Sequence, residues 1–342
     1  MLELRQGNAA VTAALTASKL SLRTVVLLTL PPLLWAGNAV VGRMAVGSVP
    51  PLTLNFLRWA LALLILLPLG WRVLREPGQI ASRWQPLLLL GLLGVGSYNA
   101  LQYLALVTST PINVTLIAAS LPVMMLLVGQ LFYGVTPSRR QMLGAVLSVA
   151  GVLLVLARGQ LAVLMNVQFV VGDVYVVIAT LAWAFYSWRL ARPPAVLRPP
   201  NAPQVIGESG EPRGWNWAEL LLVQTLFGLL GAGAAAAGEV AVGSAPMVWN
   251  GWVITALIYV AVGPSVIAYR CWGLGIAAGG EAGPALAAFF TNLTPLFAAV
   301  MSAALLNEAP QWFHAVAFGL IVGGIWVAGG KRQSALSETA RR

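Results

Sequence analysis

Charge is what this sequence has least of. Lys, Arg, Asp and Glu make up 9% of its 342 residues, where a soluble domain carries about 25%. Hydrophobic residues fill 59%, and the mean hydropathy is +0.82. A chain of this size cannot hide so much apolar surface from water. Soluble, disordered and coiled-coil classes are excluded, and an all-α polytopic membrane protein remains. Groups for metal and nucleophilic chemistry are equally scarce. There is one cysteine, Cys271, and one histidine, His314. One of each builds no zinc site, which needs three or four ligands. A lone cysteine closes no intrachain disulfide. Asp173 is the only aspartate, which excludes a two-aspartate intramembrane protease. No G-x-S-x-G stretch is present to mark a serine hydrolase. No metal, cofactor or enzymatic activity is expected.

What is present is a series of long apolar runs. A helix crossing ~30 Å of hydrocarbon needs about 20 residues. Ten segments meet that length, at about 24–46, 52–74, 86–107, 110–133, 138–158, 168–190, 218–239, 249–273, 282–306 and 310–330. The rest is two tails and mostly short loops, with no room for a soluble domain. Residues 1–23 carry no apolar stretch of signal-peptide type and read as a cytoplasmic lead; 331–342 read as a tail. The longest connection, 191–216, is rich in proline and charge, the composition of a flexible linker.

The net charge of +10 has a membrane explanation. With the N-terminus inside, the tails and even-numbered loops hold seventeen Lys and Arg, against Arg43 and Arg158 on the other side. That bias places both termini in the cytoplasm of a cell inner (plasma) membrane protein. The basic residues then face lipid headgroups. No nucleic-acid partner is expected, because no basic stripe interleaves with exposed aromatics.

The two halves repeat. Pro122 and Pro137 are 15 residues apart, as are Pro295 and Pro310. Gly151 matches Gly324 at the offset of 173 that separates Pro122 from Pro295, and near the start of each half Trp35-Ala36 resembles Trp183-Ala184. The repeats are 24–158 and 168–330, five helices each. An odd number gives the halves opposite orientations, the inverted arrangement of secondary transporters.

The stretch LLWAGNAVVGRMAVGSVPPLTLNFLRWALALL resembles the opening of the drug/metabolite transporter superfamily, EamA type: a Trp on the first helix, a short loop, then an Arg on the second. ALVTSTPINVTLIAASLPVMMLL with TPSRRQMLGAVLSVAGVLLV is similar to that family's fourth and fifth helices. FFTNLTPLFAAVMSAALLNEAP repeats the pattern, with the family's acidic residue at Glu308. Val135 stands at the matching place in the first half, so one expected acid is missing. The resemblance spans about 24–330. It implies ten helices in two inverted repeats and export of small metabolites. Within the family the chain looks most like the aromatic and neutral amino-acid exporter branch.

Polar groups inside hydrocarbon face a bundle interior or a wet cavity. Trp35 and Asn38 share one face of the first helix at i, i+3. Tyr98, Asn99, Gln102 and Tyr103 put four hydrogen-bonding side chains into six residues of the third. Trp183 and Tyr186 lie one turn apart on the sixth, followed by Trp188, which reads as part of an interfacial aromatic belt. Asn292 lies beside Pro295. Arg58 lies inside the second helix, able to bind a substrate carboxylate or backbone oxygens. Pro122, Pro264 and Pro295 each remove a helical hydrogen bond and are candidate hinges. Gly319 and Gly323 form a G-x-x-x-G, the spacing of close helix contact.

The expected function is export of small amphipathic solutes by alternating access through a central cavity, without an oligomeric partner. Aromatic walls suit neutral and aromatic amino acids; multidrug or other metabolite export is the alternative. A non-transporting membrane receptor or scaffold is the reading from another class. The carboxylates and His314 all fall near helix ends, so proton coupling and facilitated export both stay open.

Overall fold

The computed structural model describes residues 21–44, 47–198, 201–207, 210–244, 246–306 and 311–330. Most of the N-terminal lead, the C-terminal tail, Glu308 and the side chain of Arg43 lie outside the described residues. Those described are mostly helical; the long rods are labelled in chain order, and short helices at Trp71–Arg75, Pro77–Ala81 and Leu161–Met165 lie in the connections. Rods α1 (Leu22–Met44) and α2 (Pro51–Gly70) come first. Next is the composite α3: Trp84–Gly91, a wide π-helical stretch Leu92–Ser97, then Tyr98–Thr108. Rod α4 is broken into Pro111–Ala118 and Leu121–Tyr133, and α5 is Arg139–Leu156. Then come α6 (Val171–Ala191) and α7 (Trp217–Ala241). Rod α8 repeats the α3 pattern with Gly251–Val260, a π-helical stretch Ala261–Ile267, and Ala268–Ala278. Rod α9 is broken like α4, into Gly283–Thr291 and Thr294–Leu306, and α10 is Trp312–Ala328. Eight stretches are long and apolar enough to cross a membrane, and Trp312–Ala328 is apolar but shorter.

Local chemistry sets the rod ends. Ser138 caps α5 in a capping box with Gln141. Asn216 accepts from the Ala218 and Glu219 amides at the start of α7, and Glu219 reaches back to the Asn216 amide. Such reciprocal bonds satisfy amides that have no partner within the helix. Gly134, at φ 66°, ends α4 in the left-handed conformation that glycine adopts without a side-chain clash.

Packing between rods relies on small residues. Lipid tails are as apolar as leucine, so close backbone approach does the work that hydrophobic burial does in water. Rods α5 and α10 run antiparallel: a Cβ on Gly144 would sit 2.6 Å from the Gly324 carbonyl, and one on Gly151 2.9 Å from that of Ala317. The expected contact through Gly319 and Gly323 is not formed; both face open space. They lie on the outward side of α10, and Gly324 alone faces α5. Rod α2 runs antiparallel to α7, with Gly70 against Ala218 at one end and Leu52 bonded to Glu239 at the other. Around the centre the partners are reciprocal: α1 packs on α8 and α9, and α6 on α3 and α4. Outward-facing Leu131, Phe132, Val146, Leu230, Val300 and Trp326 are exposed, an apolar surface that suits lipid and not water.

These antiparallel pairs put the arginines of 72–83, 139–140 and 189–213 at one end of the bundle, the basic end. There the connection 191–216 differs from the flexible linker its composition suggested. It makes a helical turn at Ala195–Leu197 and a hairpin pairing Gln204–Ile206 with Pro212–Gly214. Gln79, on the α2–α3 connection, donates to the Gln204 carbonyl and accepts from the Gln204 amide. Arg83 donates to the carbonyls of Val196 and Asn201. Val205 is 2% exposed. Backbone groups that composition assigned to water are bonded to the neighbouring loop, so the described residues of the connection form a strap across it.

Candidate functional site

Rods α1, α3, α6 and α8 bring their aromatic residues together at the middle of the bundle. Trp183 on α6 is the hub. Its ring centroid lies 5.3 Å from Trp35, 5.0 Å from Tyr98, 5.1 Å from Tyr186, 5.4 Å from Tyr269 and 5.5 Å from Trp272. The Trp35 and Trp183 planes are 86° apart, the edge-to-face arrangement that aromatic quadrupoles favour. Trp59 on α2 extends the cluster, 4.9 Å from Tyr269.

Glycines make room for these rings. A Cβ on Gly94 would sit 2.6 Å from the Tyr186 ring, and one on Gly129 2.3 Å from that of Trp188. The wide turns do the same with hydrogen bonds. In α8 the Val260 carbonyl accepts from the Ser265 hydroxyl, and the Pro264 carbonyl accepts from the Trp35 indole N–H. In α3 the Gly94 carbonyl accepts from the Tyr269 hydroxyl. The π-helical stretches thus hand backbone oxygens to the aromatic side chains, as such bulges often do at functional sites.

Three more polar tips are paired inside the cluster. Gln102 donates to the Tyr98 hydroxyl at 3.1 Å. Tyr186 donates to Gln224 of α7 at 3.1 Å, and Trp272 to Ser187 at 3.1 Å. Trp183, Tyr186 and Trp272 are sealed, whereas Trp35, Asn38, Tyr98, Gln102 and Tyr103 are half-buried. The half-buried side chains lie toward the end where α1 and α3 finish and α6 begins. Toward the basic end the rods pack tightly around Trp188. It is 1% exposed, stacks on Tyr133 at 5.2 Å and donates to the Met125 carbonyl. Its expected place in an interfacial belt is corrected: α4 and α6 pack close enough at Gly129 to enclose it.

Of the residues expected at the site, Trp35, Tyr98, Gln102, Trp183 and Tyr186 meet directly. Asn38 joins through Arg58, whose Nη1 donates to it at 3.4 Å. Asn99 is buried on α3 and Tyr103 is half-buried. Asn292 sits on another seam, donating to Ser148 of α5 at 2.9 Å and to the Ala119 carbonyl at 3.4 Å. Pro122 and Pro295 open the second pieces of α4 and α9. Carbonyls in the turns before them are taken by the Ser120 and Thr291 hydroxyls. Pro264 lies within the α8 π-helical stretch. Trp59, Gln224, Ser265, Tyr269 and Trp272 were not expected. The i, i+3 spacing of Tyr269 and Trp272, which puts both on one face of α8, is the local signal the sequence held for them. Arg270 itself is exposed and lies 4.6 Å over the Trp217 ring.

Three carboxylates among the described residues, Asp173, Glu219 and Glu239, are engaged away from the rings. Asp173 at the start of α6 accepts from Ser109, Asn113 and the Val170 amide. Glu219 pairs with Arg213 at 2.8 Å. Glu239 accepts from the Leu52 and Thr53 amides and the Thr53 hydroxyl. Among the described residues no cluster of three His, Cys, Asp or Glu could hold a metal.

The fold also matches known proteins. The model of the EamA-like transporter family covers residues 22–157 and 209–330, once for each half. The chain belongs to the EamA-like transporter family. It is similar to an uncharacterized transporter of Archaeoglobus fulgidus, 27% identical over 312 residues, which is 91% of this chain and 98% of that protein. It is also similar to the uncharacterized transporter YyaM of Bacillus subtilis, 25% identical over 247 residues, 71% of this chain and 72% of that one. A solved crystal structure superposes with a TM-score of 0.67 at 21% identity, covering 93% of this chain and 99% of the other; that likeness concerns fold alone. EamA membership and the apolar helices make the chain a multi-pass membrane transporter.

Proposed function

We propose that the protein exports small amphipathic solutes by alternating access, with the aromatic cluster around Trp183 as the binding surface. One observation carries the reading: half-buried aromatic and amide side chains of α1 and α3 meet sealed aromatics of α6 and α8 at mid-bundle. A carrier of this kind binds its solute between its two halves, near mid-membrane. Trp35, Tyr98 and Trp183 suit an apolar body, and Asn38, Asn99 and Gln102 suit its polar end. Neutral and aromatic amino acids fit that lining.

Ten crossings as two inverted five-helix repeats is the arrangement we infer. Its support is the matching of wide turns in α3 and α8, of breaks in α4 and α9, and of packing partners for α1 and α6. The positive-inside bias favours a plasma-membrane protein with a cytoplasmic basic end, which puts the half-buried side chains toward the outer face. Counterflow in proteoliposomes tests the function. Labelled phenylalanine is expected to accumulate against an internal unlabelled pool without a pH gradient. Flux only with a gradient makes the carrier proton-coupled. No flux of any amino acid, drug or metabolite by folded protein would end the transport reading.

A further inference from the structure

Arg58 is the one charged side chain of the described residues at mid-bundle; its guanidinium lies 5.4 Å from the Trp59 ring centroid, and no acid among the described residues pairs with it. It is 1% exposed. Its Nε donates to the Ser265 hydroxyl at 3.0 Å and its Nη1 to the Asn38 amide oxygen at 3.4 Å. Both acceptors are neutral. A guanidinium has five N–H groups, and these bonds use two.

Two structural explanations for a buried arginine fail here. The first is that it serves carbonyls freed by the wide turn of α8. Those oxygens are already taken, Val260 by Ser265 and Pro264 by Trp35. The second is a hidden ion pair. The acids at rod ends are engaged elsewhere: Asp173 by Ser109 and Asn113, Glu219 by Arg213, Glu239 by the start of α2. A charge buried without a partner is strongly unfavourable and normally finds one.

A second, independent feature lies on the same stripe of α2. Asn55 is buried with neither its amide nitrogen nor its oxygen hydrogen-bonded, and the indole N–H of Trp59 is buried and unbonded too. Asn55, Arg58 and Trp59 are spaced i, i+3 and i+4, so they share a face. One helix therefore carries a cation and two unspent N–H donors, with no carboxylate of the described residues hydrogen-bonded to them. Through Asn38, one turn beyond Trp35 on α1, this polar stripe adjoins the aromatic cluster.

We infer that the solute is recognised through a carboxylate, which pairs with Arg58 while the apolar body rests on the rings of Trp35 and Trp183. The planar guanidinium fork matches a carboxylate in two parallel hydrogen bonds, and Asn55 and Trp59 offer further donors. The inference rests on the proposed transport function and narrows its substrate class: organic acids and amino acids are accepted, amines lacking a carboxylate are not.

The test compares four probes sharing one phenyl skeleton: 3-phenylpropionate, phenylalanine, 3-phenylpropionamide and phenethylamine. Binding to the purified full-length protein is read from ligand-dependent melting, and transport from competition in counterflow. The two carboxylates are expected to bind at least tenfold more tightly than the amide and the amine. Arg58→Gln is expected to erase that gap, and Arg58→Lys to keep part of it. Equal binding of amide or amine by the wild-type protein overturns the inference and leaves transport standing. An unchanged gap in folded Arg58→Gln overturns it as well. If Arg58→Gln does not fold, the wild-type ranking decides. Failure of all four, with other solutes moving, refutes the carboxylate class; failure of every solute refutes the transport reading itself.

Discussion

Glu239 should be worth more to this protein than an ordinary surface acid. The first turn of α2 has no cap of its own: Pro50 offers no side-chain hydrogen bond, and the Leu52 and Thr53 amides point out of the helix end. Glu239, at the far end of α7, accepts from those amides at 3.0 and 2.7 Å and from the Thr53 hydroxyl at 2.8 Å. Losing an N-cap costs about 1 kcal/mol. Losing a negative charge at a helix N-terminus costs a further ~0.3–1 kcal/mol. An interhelical hydrogen bond in a membrane protein averages about 0.6 kcal/mol. Together these give about 2–2.5 kcal/mol for Glu239→Ala. Glu239→Gln keeps an acceptor and loses the charge, so about 0.5–1 kcal/mol is expected. Equilibrium unfolding in mixed micelles measures both, with the exposed Glu281→Ala as control, expected within about 0.5 kcal/mol of wild type. If Ala and Gln cost the same, or Glu239→Ala costs no more than the control, the cap assignment is wrong.

Other outcomes follow from the packing. Gly324→Val should destabilise by about 1–3 kcal/mol, because its Cβ would meet the Gly144 carbonyl at 2.7 Å, whereas Gly319→Val, in open space, should be near neutral in the same unfolding assay. Gln79→Ala removes both bonds to Gln204 and should speed cleavage of the 201–214 hairpin by protease in inside-out vesicles, without altering wild-type thermal stability by more than about 1 kcal/mol. Unchanged cleavage would show that the strap is held by other contacts. Trp183→Ala removes the five ring contacts of the hub and should lower solute affinity at least tenfold, with Trp183→Phe intermediate, as read by counterflow competition.

Hydropathy alone located the apolar stretches, because about 20 residues of hydrocarbon-crossing helix leave an unmistakable signature. The residues of the aromatic cluster were partly legible for a similar reason: Trp35, Tyr98, Gln102 and Trp183 are polar-tipped groups placed mid-span. The rest depended on which face of each rod turns inward, and an all-apolar helix carries little record of that. Gly319 and Gly324 differ by five residues in one rod; one faces outward and the other touches α5. Trp188 looked interfacial by its position beside Arg189 and is buried by α4. Tyr269 and Trp272 enter the cluster from the second half, a contact between distant residues that no local spacing records. The 191–216 connection misled through composition, since proline and charge speak of solvation and say nothing of Gln79 or Arg83 waiting on the neighbouring loop.

The strap has a thermodynamic consequence of its own. It sits on one end of the bundle only, so the two ends of a nearly duplicated protein are not energetically equivalent. A contact that holds one end shut alters how often each side is open, and thereby how tightly each side holds solute. It cannot choose the direction of net movement. Around a closed cycle the gains on one side are returned on the other, so in a passive carrier the concentrations and the membrane potential alone set which way solute runs.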